Sequence, residues 1–226
     1  MSLPRATLAL FIIQDDRLKV LVRYEADGLV RLPSGHGDPE LDRDLAFTCR
    51  RLSGALVGDM DYDMLPIHTH SRRDESGSFD VHQIFAGLGR AEDIPEEITT
   101  GAAFVDVDPL LFQYHRDGSE RLRPFRLHDE DDSSLQWSWA RLKEMAGRTK
   151  IPAMLIGREF TMPELIRAYE IVSGMEIDQA SFRRKIASLC ILQEVGERRG
   201  ISRRPARTYR ITGLRMEFEK FLTMRD

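Results

Sequence analysis

The pattern of apolar and polar positions divides the chain into two parts. In the first half, short apolar runs rich in β-branched residues alternate with turn residues, which predicts the strands of an α+β domain. The predicted strands are residues 7–13, 18–24, 29–33, 64–68, 81–88 and 102–107. Residues 15–16 predict a hairpin turn, residues 34–37 a glycine-containing loop, and residues 42–52 a helix that residues 53–54 would end.

From residue 133 onward the apolar residues recur at helical spacing, and the first helix is predicted over residues 133–146. Thr161 followed by Glu164 predicts a capping box at the start of a second helix. Gly174 predicts the end of that helix and Asp178 the start of a third. The remaining predicted elements are short strands at 192–195 and 208–211 and a final helix after residue 213. Three helices followed by a β-hairpin are the element order of a winged helix-turn-helix domain.

We place the two predicted domains at residues 1–130 and 131–226. The charge of the chain also differs between its first and last parts. Residues 1–150 hold 19 Lys and Arg against 27 Asp and Glu, whereas residues 151–226 hold 14 against 10. Nine basic and two acidic residues lie within residues 183–210 alone. An acidic body with one basic surface is typical of a protein that binds a polyanion there.

The third predicted helix has the pattern of a helix that enters the DNA major groove. Phe182, Ile186 and Leu189 form its buried stripe, and Arg184 points away from that stripe. Arginine on an exposed helix face reads base edges, and flanking cations meet phosphates. The predicted DNA-binding residues, including the hairpin arginines, are Ala180, Ser181, Arg183, Arg184, Lys185, Arg198, Arg199, Arg203, Arg204 and Arg207.

Taken alone, the basic triplet at 183–185 is more typical of a solvated helix face. The five arginines of the hairpin loop add a second cationic element and favour nucleic-acid binding. RNA is the less favoured polyanion, because the sequence lacks the aromatic stacking platform usual for single strands.

Several segments carry a resemblance to a known family. Residues 160–165, 182–185 and 204–210 resemble the C-terminal domain of the NrtR family of Nudix-related transcriptional regulators. The first hairpin, residues 32–35 and the helix that follows resemble the Nudix-like domain of that family. The resemblance implies a mixed sheet with flanking helices joined to a winged helix-turn-helix. It also implies a homodimeric regulator that binds a double-stranded DNA operator.

The Nudix motif itself is degenerate. A working Nudix box places glutamates on one helical face to hold Mg²⁺ against a diphosphate. Counted from Gly35, the first glutamate position is Leu41, and counted back from Gly54, the glutamate pair falls on Arg51 and Leu52. We therefore expect no catalytic residues, no metal site and no cofactor. Glu40, Asp42 and Asp44 are expected to serve the helix dipole instead.

The resemblance implies that the Nudix-like domain binds a small-molecule effector without cleaving it. In NrtR-like proteins the effector is ADP-ribose or a related NAD metabolite, and some relatives sense a sugar. Cations and loop amides near the degenerate box are the expected anion contacts. The predicted effector-binding residues are Arg23, Ser34, Gly35, His36, Arg50 and Arg51.

Three function classes follow from the sequence. The favoured class is an effector-controlled repressor or activator in the cytoplasm, since neither a membrane span nor a signal peptide is expected. The alternatives are a divergent Nudix hydrolase with an appended winged helix and an interaction protein with a basic tail. The two cysteines, Cys49 and Cys190, are expected to be buried, and the histidine pair His68 and His70 to share a strand face at the surface.

Overall fold

A computed structural model describes residues 3–73, 77, 79–108, 126–198 and 205–212. The chain divides into two compact units. The first unit comprises Met1–Ile12, Leu18–Gly89 and Asp93–Arg141, and the second comprises Ile13–Arg17, Arg90–Glu92 and Leu142–Asp226. The division between residues 130 and 131 remains a prediction from sequence.

The first unit is built on a mixed β-sheet. Its strands are β1 (Arg5–Gln14), β2 (Arg17–Tyr24), β3 (Leu29–Arg31), β4 (Ser34–His36), β5 (Tyr62–Arg73), β6 (Phe79–Gly89), β7 (Ala102–Asp106) and β8 (Arg126–Leu127). The order is β5-β6-β1-β2-β3-β8, with β4 paired to β1 and β7 paired to β2. The pairs β1–β6 and β3–β8 are parallel, and the other pairs are antiparallel.

Strand β1 is central because both of its faces are buried. Its even positions, among them Leu8 and Leu10, pack with helix α1 (Leu45–Val57) in the main core of this unit. Its odd positions face the other side of the sheet, where Arg5 meets the start of helix α2 (Asp129–Ala146). The alternation of side chains along a strand thus separates an apolar face under α1 from a polar face near α2.

Two sequence predictions for this unit are wrong in their bounds. Helix α1 continues through Ser53 and Gly54 to a C-cap at Gly58, whose φ is 61°. Ser53 is compatible with the helix because its hydroxyl donates to Arg50 O over 3.2 Å and bonds the Tyr62 hydroxyl over 2.8 Å. The loop expected at residues 34–37 is largely strand β4. Residues 15–16 do form the hairpin turn, with φ of 54° and 57°.

The second unit has the elements of a winged helix domain. They are helix α3 (Ile151–Met154), strand β9 (Phe160–Thr161), helices α4 (Met162–Ser173) and α5 (Gln179–Ser188), and strands β10 (Leu192–Arg198) and β11 (Ala206–Ile211). The strands form a three-stranded sheet in the order β10-β11-β9. The core lies between the helices and this sheet and includes Phe160, Leu165, Tyr169, Phe182 and Ile186.

The helix signals read from sequence are confirmed here. Thr161 and Glu164 form the capping box, Gly174 ends α4 in a left-handed conformation, and Asp178 caps α5. The helix predicted over residues 133–146 is confirmed as α2, which begins four residues earlier, at Asp129. Strand β9 was not predicted.

Cys49 is buried as expected, and burial raises the pKa of its thiol to about 12. The same expectation is wrong for Cys190, which is exposed and has φ of 51° where the chain leaves α5. Three of the predicted hairpin arginines, Arg199, Arg203 and Arg204, lie outside the described residues, as does the helix predicted after residue 213.

Candidate functional site

Helix α5 presents two arginines to solvent. Phe182 and Ile186 are 2% and 0% exposed and fix the inner face of the helix, so Arg183 and Arg184 are exposed on the outer face. Among the described residues, neither arginine has an ion pair. The Asp178 carboxylate accepts from the Ser181 amide over 2.8 Å and holds the first turn. Two long cationic side chains therefore stand on a rigid, capped helix.

The surroundings of these arginines are small or partly buried side chains. Ala180 and Ala187 are exposed on the same helix, whereas Ser181 and Lys185 are half-buried. Exposed alanines let another molecule approach the helix backbone closely. The small side chains on the outer face of α5 allow close approach, and its long arginine side chains can reach outward from the helix. A helix lying in the major groove requires both.

The described arginines of the β10–β11 hairpin are held by glutamates. Arg198 Nη1 lies 3.0 Å from Glu164 Oε1, and its Nη2 donates to the Glu159 carbonyl over 2.7 Å. Arg207 Nη1 lies 3.1 Å from Glu194 Oε2. These pairs are exposed, and exposed ion pairs contribute only about 0–1 kcal/mol. Such pairs open readily when a phosphate competes for the guanidinium.

A third described cation of the hairpin, Arg210, was missed by the sequence reasoning. Its Nη2 donates to Glu159 Oε1 over 2.8 Å. Strand β9 fixes the hairpin beside α4, because Thr208 pairs with Thr161 and Tyr209 pairs with Phe160. The hairpin cations are therefore positioned by the sheet, and each of the three described here carries an acidic partner.

The first unit contains a polar cavity of about 260 Å³ on the α2 side of the sheet. Strands β1, β5 and β6 form its floor, and the first two turns of α2 form its wall. The lining residues are Arg5, His70, Arg72, Asp80, His82, Glu130, Ser133, Ser134 and Trp137.

One end of this cavity is a hydrogen-bonded network. The Thr7 hydroxyl bonds both His82 Nε2 and the Ser34 hydroxyl over 2.8 Å. Arg5 donates from Nε to Ser34 over 2.9 Å and from Nη1 to Glu130 over 2.6 Å. Burial, together with Arg5 and His70, lowers the pKa of His82 to about 4. His82 is therefore neutral near pH 7 and serves as a fixed hydrogen-bonding group.

The other end of the cavity is aromatic. Trp137 is 41% exposed, and its ring centroid lies 4.5 Å from that of His68 and 5.8 Å from that of His70. The expected surface pair is confirmed, since the rings of His68 and His70 are 5.9 Å apart on exposed residues of β5. Asp80 adds a carboxylate, and its buried Oδ1 has no hydrogen-bond partner among the described residues.

The opposite side of the sheet carries the helix of the degenerate Nudix motif. Arg51 donates from Nε to Asp42 Oδ1 over 2.8 Å and from Nη2 to Oδ2 over 2.6 Å. This bidentate pair holds the pKa of Asp42 well below its usual range and raises that of Arg51. Asp42 thus pairs with a cation instead of serving the helix dipole, whereas Asp44 caps α1 by accepting from the Phe47 amide over 2.7 Å.

The other predicted effector contacts also have partners. Arg23 donates to Glu25, Arg50 donates to the Tyr62 carbonyl over 3.1 Å, and His36 bonds the Leu3 carbonyl over 2.7 Å. A Cβ at Gly35 would lie 3.3 Å from Leu52.

Among the six predicted residues, Ser34 alone joins the network at the end of the cavity, through Thr7 and Arg5. The assignment of all six as effector contacts remains a prediction.

Sequence reasoning missed most of the cavity. Arg5, His82 and Trp137 come from distant parts of the chain, and no local spacing links them. The one available signal is the alternation of His68 and His70, which places both on the same strand face.

Within the described ranges, no cluster of three or more His, Cys, Asp or Glu side chains is suited to a metal ion. No helix in the described part of the chain is long and apolar enough to cross a membrane.

Part of the second unit is similar to a known protein family. Residues 152–211 match the family described as the NrtR DNA-binding winged helix domain. Residues 152–211 of the second unit are therefore similar to an NrtR-type winged helix domain. This match spans α5 and the hairpin, so it includes the exposed arginines of α5.

The likeness to NrtR proteins extends over nearly the whole chain. It is 25% identical over 211 residues to the ADPR responsive transcriptional repressor NtrR of Acinetobacter baylyi, covering 90% of this chain and 79% of that protein. The solved structure of Shewanella oneidensis NrtR complexed with a 27mer DNA has the same fold, with 22% identity, a TM-score of 0.80 and coverage of 98% of this chain and 100% of that chain.

A MutT/nudix family protein from Enterococcus faecalis also shares the fold. It is 16% identical with a TM-score of 0.69, covering 94% of this chain and 89% of that chain. The expected α+β architecture, a Nudix-like sheet followed by an NrtR-type winged helix domain, is thereby confirmed.

Proposed function

We propose that this protein is a transcriptional regulator whose NrtR-type domain binds operator DNA under the control of a small molecule bound by the Nudix-like unit. The observation that carries the proposal is the exposed pair Arg183 and Arg184 on the capped helix α5 of that domain. Helix α5 is the second helix of a helix-turn-helix and enters the major groove, with Arg184 reading base edges. Arg183 and Lys185 meet the flanking phosphates.

The hairpin supplies further phosphate contacts. Arg198 and Arg207 leave their glutamates and bind the DNA backbone, which releases counterions and makes affinity depend on salt. Exposed Ala180 and half-buried Ser181 allow α5 to approach the groove. The remaining predicted contacts belong to the same loop, and they are Arg199, Arg203 and Arg204.

The effector proposed for the Nudix-like unit is ADP-ribose. Support comes from the relative in Acinetobacter baylyi, which is named an ADPR responsive repressor. We propose the same response here, with ADP-ribose weakening operator binding. The protein acts as a homodimer, because paired half-sites about one helical turn apart need two copies of α5.

Hydrolysis is not part of the proposed function. The side chain of Asp42, within the degenerate box, is 3% exposed, and both of its oxygens are bonded by Arg51. A carboxylate that already has a bidentate cationic partner is a poor ligand for Mg²⁺. The proposal is therefore that ADP-ribose is bound and released intact.

A gel-shift experiment tests the proposal. Purified protein is titrated onto DNA from upstream of its own gene, with a scrambled duplex of equal length as the control. We expect retention of the upstream duplex at lower protein concentration than the control, and release on addition of ADP-ribose. Chromatography of the same mixture with Mg²⁺ checks that ADP-ribose stays intact. Equal affinity for both duplexes would contradict the regulatory function, and Mg²⁺-dependent turnover would favour the hydrolase.

A further inference from the structure

The polar cavity combines three features that one kind of ligand satisfies together. Trp137 is 41% exposed, the buried Asp80 Oδ1 has no donor among the described residues, and Arg72 is an exposed cation of the lining. A buried acceptor without a donor is unfavourable, so a bound group with a hydroxyl is stabilised there. An exposed indole favours stacking with a planar ring.

The size of the cavity limits what it holds. Sites that enclose a drug-sized ligand measure about 300–1,000 Å³, and this cavity measures about 260 Å³. It therefore fits one part of a larger ligand. Arg5 Nη1 lies 2.6 Å from Glu130 Oε2, so these two charges neutralise each other. This pair thus provides no net cation for a phosphate, whereas the exposed Arg72 does.

We propose that this cavity, on the α2 side of the sheet, binds the nucleoside part of the effector. The base stacks on Trp137, a ribose hydroxyl donates to the Asp80 carboxylate that lines the cavity, and the phosphate leaves the cavity past Arg72. This inference rests on the proposed function for its choice of ADP-ribose as the full ligand. It places the effector on the face opposite α1, away from Arg51 and the degenerate box.

The internal network at the cavity floor supports this orientation. Thr7 bonds both His82 and Ser34, and Arg5 bonds Ser34 and Glu130, so these polar groups already have partners. The groups left for a ligand are those at the aromatic end and the exposed Arg72. The ligand is thereby recognised by stacking on Trp137 and by the Asp80 carboxylate, and Arg72 meets its phosphate.

The test uses two probes, adenosine and ADP-ribose, on the full chain. Trp139→Phe leaves Trp137 as the single tryptophan, so its fluorescence reports stacking directly. We expect both probes to change that fluorescence. Isothermal titration calorimetry should show that Trp137→Ala and Asp80→Asn each lower the affinity for both probes by about tenfold. This is the scale of one lost base stack. Trp137→Phe should retain most of the affinity, because it keeps a ring.

Matched arginine variants separate this cavity from the rest of the unit. Arg72→Gln should weaken the binding of ADP-ribose and leave that of adenosine unchanged, whereas Arg43→Gln, at an exposed arginine just before α1, should change neither. Thermal melts without ligand show whether each variant folds. Unchanged ADP-ribose affinity in Trp137→Ala and Asp80→Asn would overturn the cavity assignment and leave the regulatory proposal standing. Adenosine binding that changes Trp137 fluorescence supports the cavity even where ADP-ribose fails to release DNA.

Discussion

Arg183 and Arg184 are neighbours in sequence and differ in the direction they take from α5. Arg184 lies opposite the stripe formed by Phe182 and Ile186, whereas Arg183 projects to one side. Arg184→Ala should therefore cost roughly 1–3 kcal/mol on the operator and little on random DNA. Arg183→Ala should weaken binding to both duplexes to the same extent. Fluorescence anisotropy at two salt concentrations measures both effects, and equal losses in Arg184→Ala would remove that residue from base readout.

The Asp42–Arg51 pair predicts a pH dependence of stability. The pKa of Asp42 is lower in the folded protein than in the unfolded chain. The Asp42 carboxylate therefore stabilises the fold above about pH 4, and this contribution is lost as the pH falls. Asp42→Asn should lower the free energy of unfolding by about 2 kcal/mol at pH 7, because hydrogen bonds to charged groups contribute roughly 1.5–3 kcal/mol.

Urea titrations at several pH values check this prediction. The difference between the protein and Asp42→Asn should shrink toward pH 3. Glu40→Gln removes an exposed acid from the same segment and should have little effect at any pH. A constant difference across the pH range would show that the pair is not the source of the stabilisation.

At the scale of elements, the hairpin is both cationic and restrained. Arg207 pairs with Glu194 on the neighbouring strand, and this contact competes with phosphate. Glu194→Gln should therefore raise the affinity for any DNA about 1.4- to 5-fold, the range expected when an exposed pair worth about 0.2–1 kcal/mol is removed.

Glu176→Gln is the control for the hairpin. It removes the same charge from an exposed acid of the second unit outside the hairpin and leaves the ion pair of Arg207 with Glu194 intact. Filter binding to a scrambled duplex measures both variants. If the two substitutions raise the affinity equally, net charge and not the ion pair determines the result.

The elements also show where sequence reasoning succeeds. The capping box at Thr161 and the glycine end at Gly174 depend on contacts within four residues, so they could be read directly. Helix α1 continues through Ser53, whose hydroxyl bonds that of Tyr62 on strand β5. No local sequence pattern contains this contact. The cavity was missed for the same reason, since Arg5 and Trp137 meet only through the tertiary fold.

At the scale of the whole molecule, the winged helix and the sheet were predictable because charge and periodicity change together along the chain. The proposed homodimer makes a further prediction. Sedimentation of the protein with a duplex that carries both half-sites should give two chains per duplex. A duplex with one half-site removed should bind with lower affinity, since one copy of α5 then lacks its groove. One chain on the intact duplex would contradict the dimer.

The pairing of Asp42 with Arg51 also limits which substitutions the protein can accept at these two positions. Replacing Arg51 by glutamate, as a working Nudix box requires in one register, would set two carboxylates side by side with no cation between them. Such a step destabilises the fold before it creates a metal ligand. Restoring a metal-binding glutamate at position 51 without this repulsion therefore needs at least two substitutions, one at Arg51 and one at Asp42.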